Sequence, residues 1–201
     1  MSDGGEAMAY KVNDIFYSLQ GEGHNAGRAA VFVRFSGCNL RCSFCDTDFA
    51  AYREMTVEEI VAQLRQHVAA EPAAGRLLCV LTGGEPTLQV DEALVSRLHE
   101  AGYEVAMESN GTKEPPANVD WLTVSPKERT VVTRCQELKV LFDGQGEVSD
   151  RGIQADYYYL QPCDVGDNSR NAQITEACVA YIKTHPRWRL SLQTHKLANF
   201  K

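Results

Sequence analysis

Three cysteines within eight residues, Cys38, Cys42 and Cys45, are the clearest chemical feature of the chain. Three residues separate the first pair and two the second, so three thiolates can converge on one metal site. A closed structural zinc site needs four ligands. No fourth cysteine lies nearby, although His24 would complete a Cys₃His set. A [4Fe–4S] cluster also usually takes four thiolates. Held by three, it keeps one iron open, and an open position is where a metal does chemistry. The cluster is the preferred reading and structural zinc the alternative. Cys79, Cys135, Cys163 and Cys178 are scattered and read as small buried hydrophobes.

Four polar segments downstream could line the same site. In Thr82-Gly83-Gly84-Glu85-Pro86 the paired glycines let a backbone approach a ligand, and Glu85 can accept from an ammonium group. Glu108-Ser109-Asn110-Gly111-Thr112 carries short polar side chains that suit ribose hydroxyls, or form an Asx turn. Ser125-Pro126-Lys127 and Gln161-Pro162-Cys163-Asp164 are unremarkable turns when taken alone.

The elements that position these segments follow from pattern. Residues 29–35, AAVFVRF, read as a strand that runs directly into the cysteine loop. Thr56 with Glu59 has capping-box spacing, and Val57, Ile60, Val61, Leu64 and Val68 mark one apolar helical face. Leu77–Leu81 is a strand ending at the glycines. Asp91 caps a helix with Leu94, Val95 and Leu98 inward, and Gly102 ends it. Further strands are expected at 104–107, 121–124, 137–142, 157–160 and 189–192, with a last helix near 169–184. Each chemical segment thus follows a strand. About three helices serving six or seven strands imply an α/β fold with a largely parallel sheet, whose functional loops collect at the carboxyl ends of the strands.

The 201 residues carry a net charge of −7, with 44% hydrophobic and 23% charged residues. That balance fits one globular domain, 10–201, behind a frayed start at 1–9. It disfavours a nucleic-acid surface, which needs clustered cations. No apolar run could span a bilayer, and residues 1–9 lack the features of a secretory signal. With an odd seven cysteines, a disulfide framework is a poor explanation. A cytoplasmic enzyme acting on a small molecule is expected.

The C-x₃-C-x₂-C spacing after an early strand, with Phe44 before the third cysteine and a Gly-Gly-Glu-Pro segment downstream, resembles the radical S-adenosylmethionine (SAM) superfamily. The resemblance implies a reduced TIM-like barrel of about six parallel strands and about three helices. It also implies an open iron that chelates SAM, whose reduction yields a 5′-deoxyadenosyl radical. Gly84, Glu85, Glu108, Asn110, Ser125, Pro126, Lys127, Gln161, Pro162, Cys163 and Asp164 would contact SAM.

Residues 15–23, IFYSLQGEG, with Arg34, Cys45-Asp46-Thr47 and the late Leu192-Gln193-Thr194-His195-Lys196, are similar to the 7-carboxy-7-deazaguanine synthase family. These segments occur in family order over nearly the whole chain. The likeness implies radical ring contraction of 6-carboxy-5,6,7,8-tetrahydropterin with loss of ammonia, on the route to queuosine. It sets Leu19, Gln20, Gly21, Glu22 and Thr82 against the pterin and Arg34 against its carboxylate. Without the family, the lesser alternative for Arg34 is an outward strand residue in a surface ion pair. The likeness also gives Mg²⁺ to Thr47, although chemistry alone would choose Asp46. It further implies a flavodoxin or ferredoxin donor and a homodimer. The ending Leu197-Ala198-Asn199-Phe200-Lys201 departs from the Leu-Gly-Ile-Pro-like tail of related chains, so no substrate role is given to it. A glycyl-radical activase would share the cysteine motif, but not the Leu-Gln-Gly-Glu-Gly segment or Thr47.

Overall fold

Alternate residues of a strand point to opposite faces of a sheet, and here both faces are apolar. Val31, Val33 and Phe35 pack with Ile60, Leu64 and Leu94 in a large core, while Ala30 and Phe32 join Leu78, Val80 and Ala106 in a smaller one. A sheet with two buried faces must be covered on both. In the computed structural model, which describes residues 9–45, 47–68 and 75–201, helices cover one face and a long hairpin loop folds over part of the other. Residues 1–8 of the expected frayed start lie outside the described residues, as does Asp46.

The elements run β1 (Tyr10–Leu19), β2 (Ala29–Phe35), β3 (Arg53–Met55), α1 (Val57–His67), β4 (Leu77–Gly83), α2 (Glu92–Glu100), β5 (Tyr103–Ser109), β6 (Trp121–Val124), β7 (Arg134–Phe142), β8 (Gln154–Pro162), α3 (Asn168–Thr184), β9 (Trp188–Leu190) and α4 (Thr194–Ala198). They form one sheet in the order β3-β1-β2-β4-β5-β6-β7-β8-β9. Neighbours from β2 to β9 are parallel, and β1 is antiparallel to both β2 and β3. This is the expected α/β architecture of a partial TIM-like barrel. The parallel row has one strand more than the six of that estimate when the three-residue β9 is included.

The helix signals act as read. Thr56 Oγ1 accepts from Glu59 N at 3.3 Å and Glu59 Oε2 accepts from Thr56 N at 2.7 Å, a reciprocal cap that stabilises α1 by about 1 kcal/mol. Asp91 Oδ1 accepts from Leu94 N at 2.9 Å at the start of α2. Between β1 and β2, residues 20–28 close on themselves through Gln20 N to Arg28 O and Gly27 N to Gln20 O, both 2.8 Å. This loop crosses the uncovered face. His24 stacks on Trp121 of β6 and Tyr157 of β8, with ring centroids 4.8 and 4.2 Å apart. Gly23 has φ +65°, which favours glycine, and a Cβ there would lie 1.9 Å from a Glu137 carboxylate oxygen and displace that side chain.

β1, β3 and α4 were not expected. β1 contains a register shift between Val12 and Asp14, which breaks the alternation at Asn13-Asp14. β3 is three residues long with two exposed, too short to carry a pattern. α4 is a single short helix without a side-chain cap.

Candidate active site

The carboxyl ends of the parallel strands open onto a cleft of about 1000 Å³. Cys38, Cys42 and Cys45 all border it, and none is in a disulfide. Their loop follows β2 and is tied to the loop after β5. Asn39 Nδ2 donates to Thr112 Oγ1 at 2.7 Å, and Asn110 Nδ2 donates to Asn39 Oδ1 at 3.0 Å. Within the loop, Cys45 N donates to Cys42 O at 3.2 Å and Leu40 N to the Cys38 sulfur at 3.4 Å. Burial pushes the Cys38 thiol up. Among the described residues no three His, Cys, Asp or Glu groups stand gathered as a metal-binding set. The three thiols instead face one cleft from a loop with no helix or strand of its own. Drawing them to one point requires loop adjustment, and no sheet or helix has to be broken. Three soft donors on one loop at the cleft fit an iron–sulfur cluster with one open iron.

The paired glycines are required by chain packing as well as by any ligand. Gly83 has φ +126°, and a Cβ on it would lie 2.2 Å from Phe35 O; on Gly84, a Cβ would lie 2.0 Å from Gly37 O. Gly84 N donates to Phe35 O at 3.0 Å and Glu85 N to Gly37 O at 2.8 Å, so the end of β4 is laced to the start of the cysteine loop. Gly84 borders the cleft and Glu85 does not. Glu85 is 1% exposed, and both of its oxygens are engaged. Oε1 accepts from Thr87 N at 3.1 Å, Thr87 Oγ1 at 2.6 Å and Ser109 Oγ at 2.8 Å, and Oε2 accepts from Asn110 N at 2.7 Å. The carboxylate braces the loops after β4 and β5 against each other.

A second group of side chains forms the deeper wall. Lys139 on β7 reaches Glu22 Oε2 and, at 3.4 Å, Glu108 Oε2 on β5. Gln20 Nε2 donates to Glu108 Oε1 at 2.8 Å, and Gln193 Nε2 to Glu22 Oε1 at 3.0 Å. Burial alone would raise the Glu22 carboxyl, but Lys139, with help from Gln193 and His195, holds it down at about 2. Burial works against the Lys139 charge and is overcome by Glu108, Glu22 and Glu137, so the ammonium stays protonated well above its usual range. Glu108 therefore stands with Gln20 and Glu22. Thr194 Oγ1 donates to Gly21 O at 2.7 Å, which sets α4 against Leu19-Gln20-Gly21. Nearer the cysteines, Arg34 Nη1 donates to Thr47 Oγ1 at 3.1 Å, and Arg34 pairs in register with Thr82 on β4.

On the remaining side, Ser125 N donates to Ser109 O at 2.8 Å, and Lys127 Nζ donates to Ser125 Oγ. Burial, followed by repulsion from Lys139, lowers Lys127 to about 8. Pro126 is buried and does not reach the cleft. Gln161 Oε1 accepts from Ser191 Oγ at 2.8 Å, and Cys163 N donates to Phe142 O at 2.8 Å. Asp164 accepts from Lys196 Nζ at 2.8 Å, Gly166 N at 2.9 Å and Asn171 Nδ2 at 2.7 Å, and these bonds hold it well below the usual carboxylate range. Gln161, Pro162, Cys163 and Asp164 all border the cleft. Sequence reasoning missed Lys139. Its signal was a charged pair, Glu137 and Lys139, at strand spacing inside the apolar run of β7.

Comparison with known proteins accords with this geometry. Residues 32–126 match the model of the radical SAM superfamily. A 7-carboxy-7-deazaguanine synthase from Bacteroides thetaiotaomicron is 47% identical over 96% of this chain and all of its own length. One from Caulobacter vibrioides is 43% identical over 94% of this chain and 98% of its own. The crystal structure of QueE from Escherichia coli superposes with a TM-score of 0.68 at 24% identity, covering 92% of this chain and 94% of that one. The cleft therefore belongs to a radical SAM fold, and the chain is a member of the 7-carboxy-7-deazaguanine synthase family.

Proposed function

We propose that this chain is a radical SAM carbon–nitrogen lyase that converts 6-carboxy-5,6,7,8-tetrahydropterin to 7-carboxy-7-deazaguanine and ammonia, for queuosine-type deazapurines. The observation that carries this reading is that the cysteine loop and the residues Gln20, Glu22, Arg34 and Thr82 border one cleft. When bound, the [4Fe–4S] cluster and SAM supply a hydrogen-abstracting radical beside the substrate. Cys38, Cys42 and Cys45 hold the cluster. Gly84, Asn110, Ser125, Lys127 and the 161–164 segment border SAM. Arg34 pairs with the substrate carboxylate through its planar fork. Leu19-Gln20-Gly21, Glu22 and Thr82 read the ring.

Thr47 offers a hard oxygen to Mg²⁺. Its Oγ1 accepts from Arg34 Nη1 at 3.1 Å, so Thr47 would hold the ion on the side of the cleft where Arg34 stands. We further propose a flavodoxin or ferredoxin as electron donor, a homodimer, one domain over residues 10–201 and a cytoplasmic location. Among the described residues no helix is long and apolar enough to cross a membrane.

The test is anaerobic reconstitution with iron and sulfide, followed by SAM, dithionite, Mg²⁺ and 6-carboxytetrahydropterin, with product followed by mass spectrometry. Product from the wild type, and none from Cys42→Ala or Thr47→Ala, supports the reading. Deoxyadenosine without the deazapurine would mean that the substrate is a different one.

A further inference from the structure

We propose that Lys139 is a positioning residue that makes the cleft selective for the 2-amino-4-oxo edge of a pterin-type ring, by holding Glu22 and Glu108 as a matched pair of acceptors. The inference rests on the pterin reading given above and extends it to a residue that reading did not use.

The exposures decide which groups meet a ligand. The Lys139 side chain is 4% exposed, that of Glu22 15% and that of Glu108 26%, so the ammonium sits behind two carboxylates that reach the cleft. Glu22 comes from the β1–β2 loop, Glu108 from β5 and Lys139 from β7. Among these three charges only the lysine links the two acids. The outer oxygens are braced in turn, Glu22 Oε1 by Gln193 and Glu108 Oε1 by Gln20. Gln20 Oε1 also accepts from Glu22 N at 3.2 Å, which closes the circuit. A carboxylate oxygen has two lone pairs. Each acid therefore keeps acceptor capacity on its cleft side after these bonds are made.

Chemistry then selects the ring edge. A 2-amino-4-oxo pyrimidine presents adjacent N–H donors, the ring N3–H and the exocyclic amine, which two fixed acceptors match. A 2-oxo ring, as in a lumazine, puts a carbonyl oxygen where the amine was and faces a carboxylate with no donor between them. An unpaired buried acceptor of that kind is costly. The discrimination holds only while the acids are ionised, because a neutral carboxyl could turn its O–H toward the carbonyl. Burial favours that neutral form, and Glu137, two residues before Lys139 on β7, shows the tendency by rising to about 7. The Lys139 ammonium prevents it at Glu22.

The test uses reconstituted holoprotein with SAM, equilibrium ultrafiltration, and two fluorescent probes, 6-carboxypterin and 6-carboxylumazine. Wild type should prefer the pterin by about 100-fold or more, the scale of one lost hydrogen bond to a charged acceptor. The double variant Lys139→Met/Glu22→Gln leaves no unpaired lysine or Glu22 charge buried and should bring the two affinities within about 5-fold. Glu108→Gln keeps the Lys139–Glu22 pair and should lower the preference by about 10-fold; it decides the matter if the double variant fails to hold its cluster. An unchanged ratio in the variants, or a wild type that binds both probes equally, overturns the proposal while the pterin reading stands. A wild type that cleaves SAM but binds neither probe overturns both.

Discussion

Arg34 and Thr47 stand 13 positions apart on either side of the cysteine loop, yet the guanidinium donates to the threonine hydroxyl across 3.1 Å. The contact folds the far end of that loop back onto β2, at the edge of the cleft. The Arg34 guanidinium also lies 5.8 Å from the centre of the Phe16 ring, which limits its swing.

Replacing Arg34 should therefore act on substrate binding. Arg34→Ala is expected to raise KM for the carboxytetrahydropterin by about 100-fold, the worth of a charge-assisted hydrogen-bond pair. Arg34→Lys should recover only part of this loss, because a point charge cannot make the fork. Steady-state kinetics at saturating SAM measure both, and an unchanged KM in the alanine variant would remove Arg34 from the substrate.

Gly84→Ala should cost more than about 2 kcal/mol, because its Cβ would lie 2.0 Å from the Gly37 carbonyl oxygen and the β4 end cannot yield without losing its bonds to 35–37. Gly27→Ala is the control. Gly27 has φ +86° but no atom within 4 Å of the added carbon, so only backbone strain of about 1 kcal/mol applies. Thermal unfolding of both variants gives the comparison, and equal losses would refute the packing explanation.

Burial pushes the Glu137 carboxyl up to about 7, with Glu108 and Glu22 adding to the rise and Lys139 and the His24 N–H opposing it. Between the ordinary 4.5 and 7 the folded chain keeps a proton that the unfolded chain has released. Stability from this group therefore falls as pH rises through that window. Glu22 has the opposite sign: its stabilisation is present above its ordinary 4.5 and fades as pH falls toward 2, outside the window. Glu137→Gln should gain about 2 kcal/mol on the wild type between pH 5 and pH 8, read from urea unfolding at each pH. A gap that does not change with pH would show that Glu137 is ionised throughout.

Thiol labelling should sort the cysteines. In reduced, metal-stripped protein, Cys45 and Cys42 react first with iodoacetamide at pH 8 and Cys38 follows, while buried Cys79, Cys135 and Cys178 wait for unfolding. Burial raises Cys135 to about 12 and Cys178 to about 11. Reconstitution with iron and sulfide should then protect the first three alone. Peptide mass spectrometry reads the order, and a Cys79 as fast as Cys45 would contradict the packing of β4.

The parallel strands and three longer helices were legible because each carries its signal locally. Thr56 and Asp91 are side-chain caps whose partners lie three residues away, and the apolar runs of β2 and β4 need no partner to be recognised. β1 was not legible, because its register shift near Asn13 is imposed by pairing with β2. Glu85 was only partly legible: a carboxylate after two glycines suggests a ligand, while its donors Ser109 and Asn110 come from another loop and no spacing announces them. Lys139 has the same difficulty, since its partners lie 117 and 31 positions away.

The β1–β2 loop carries a consequence for how the molecule reaches its working form. Glu22 is bound by Gln193 across 171 positions and Gly21 by Thr194 across 173. Closing such distant pairs is entropically slow and comes after local structure has formed. This wall of the cleft is thus completed late in folding, when residues 193–195 dock on residues made long before them, and a partly synthesised chain has no finished cleft to offer.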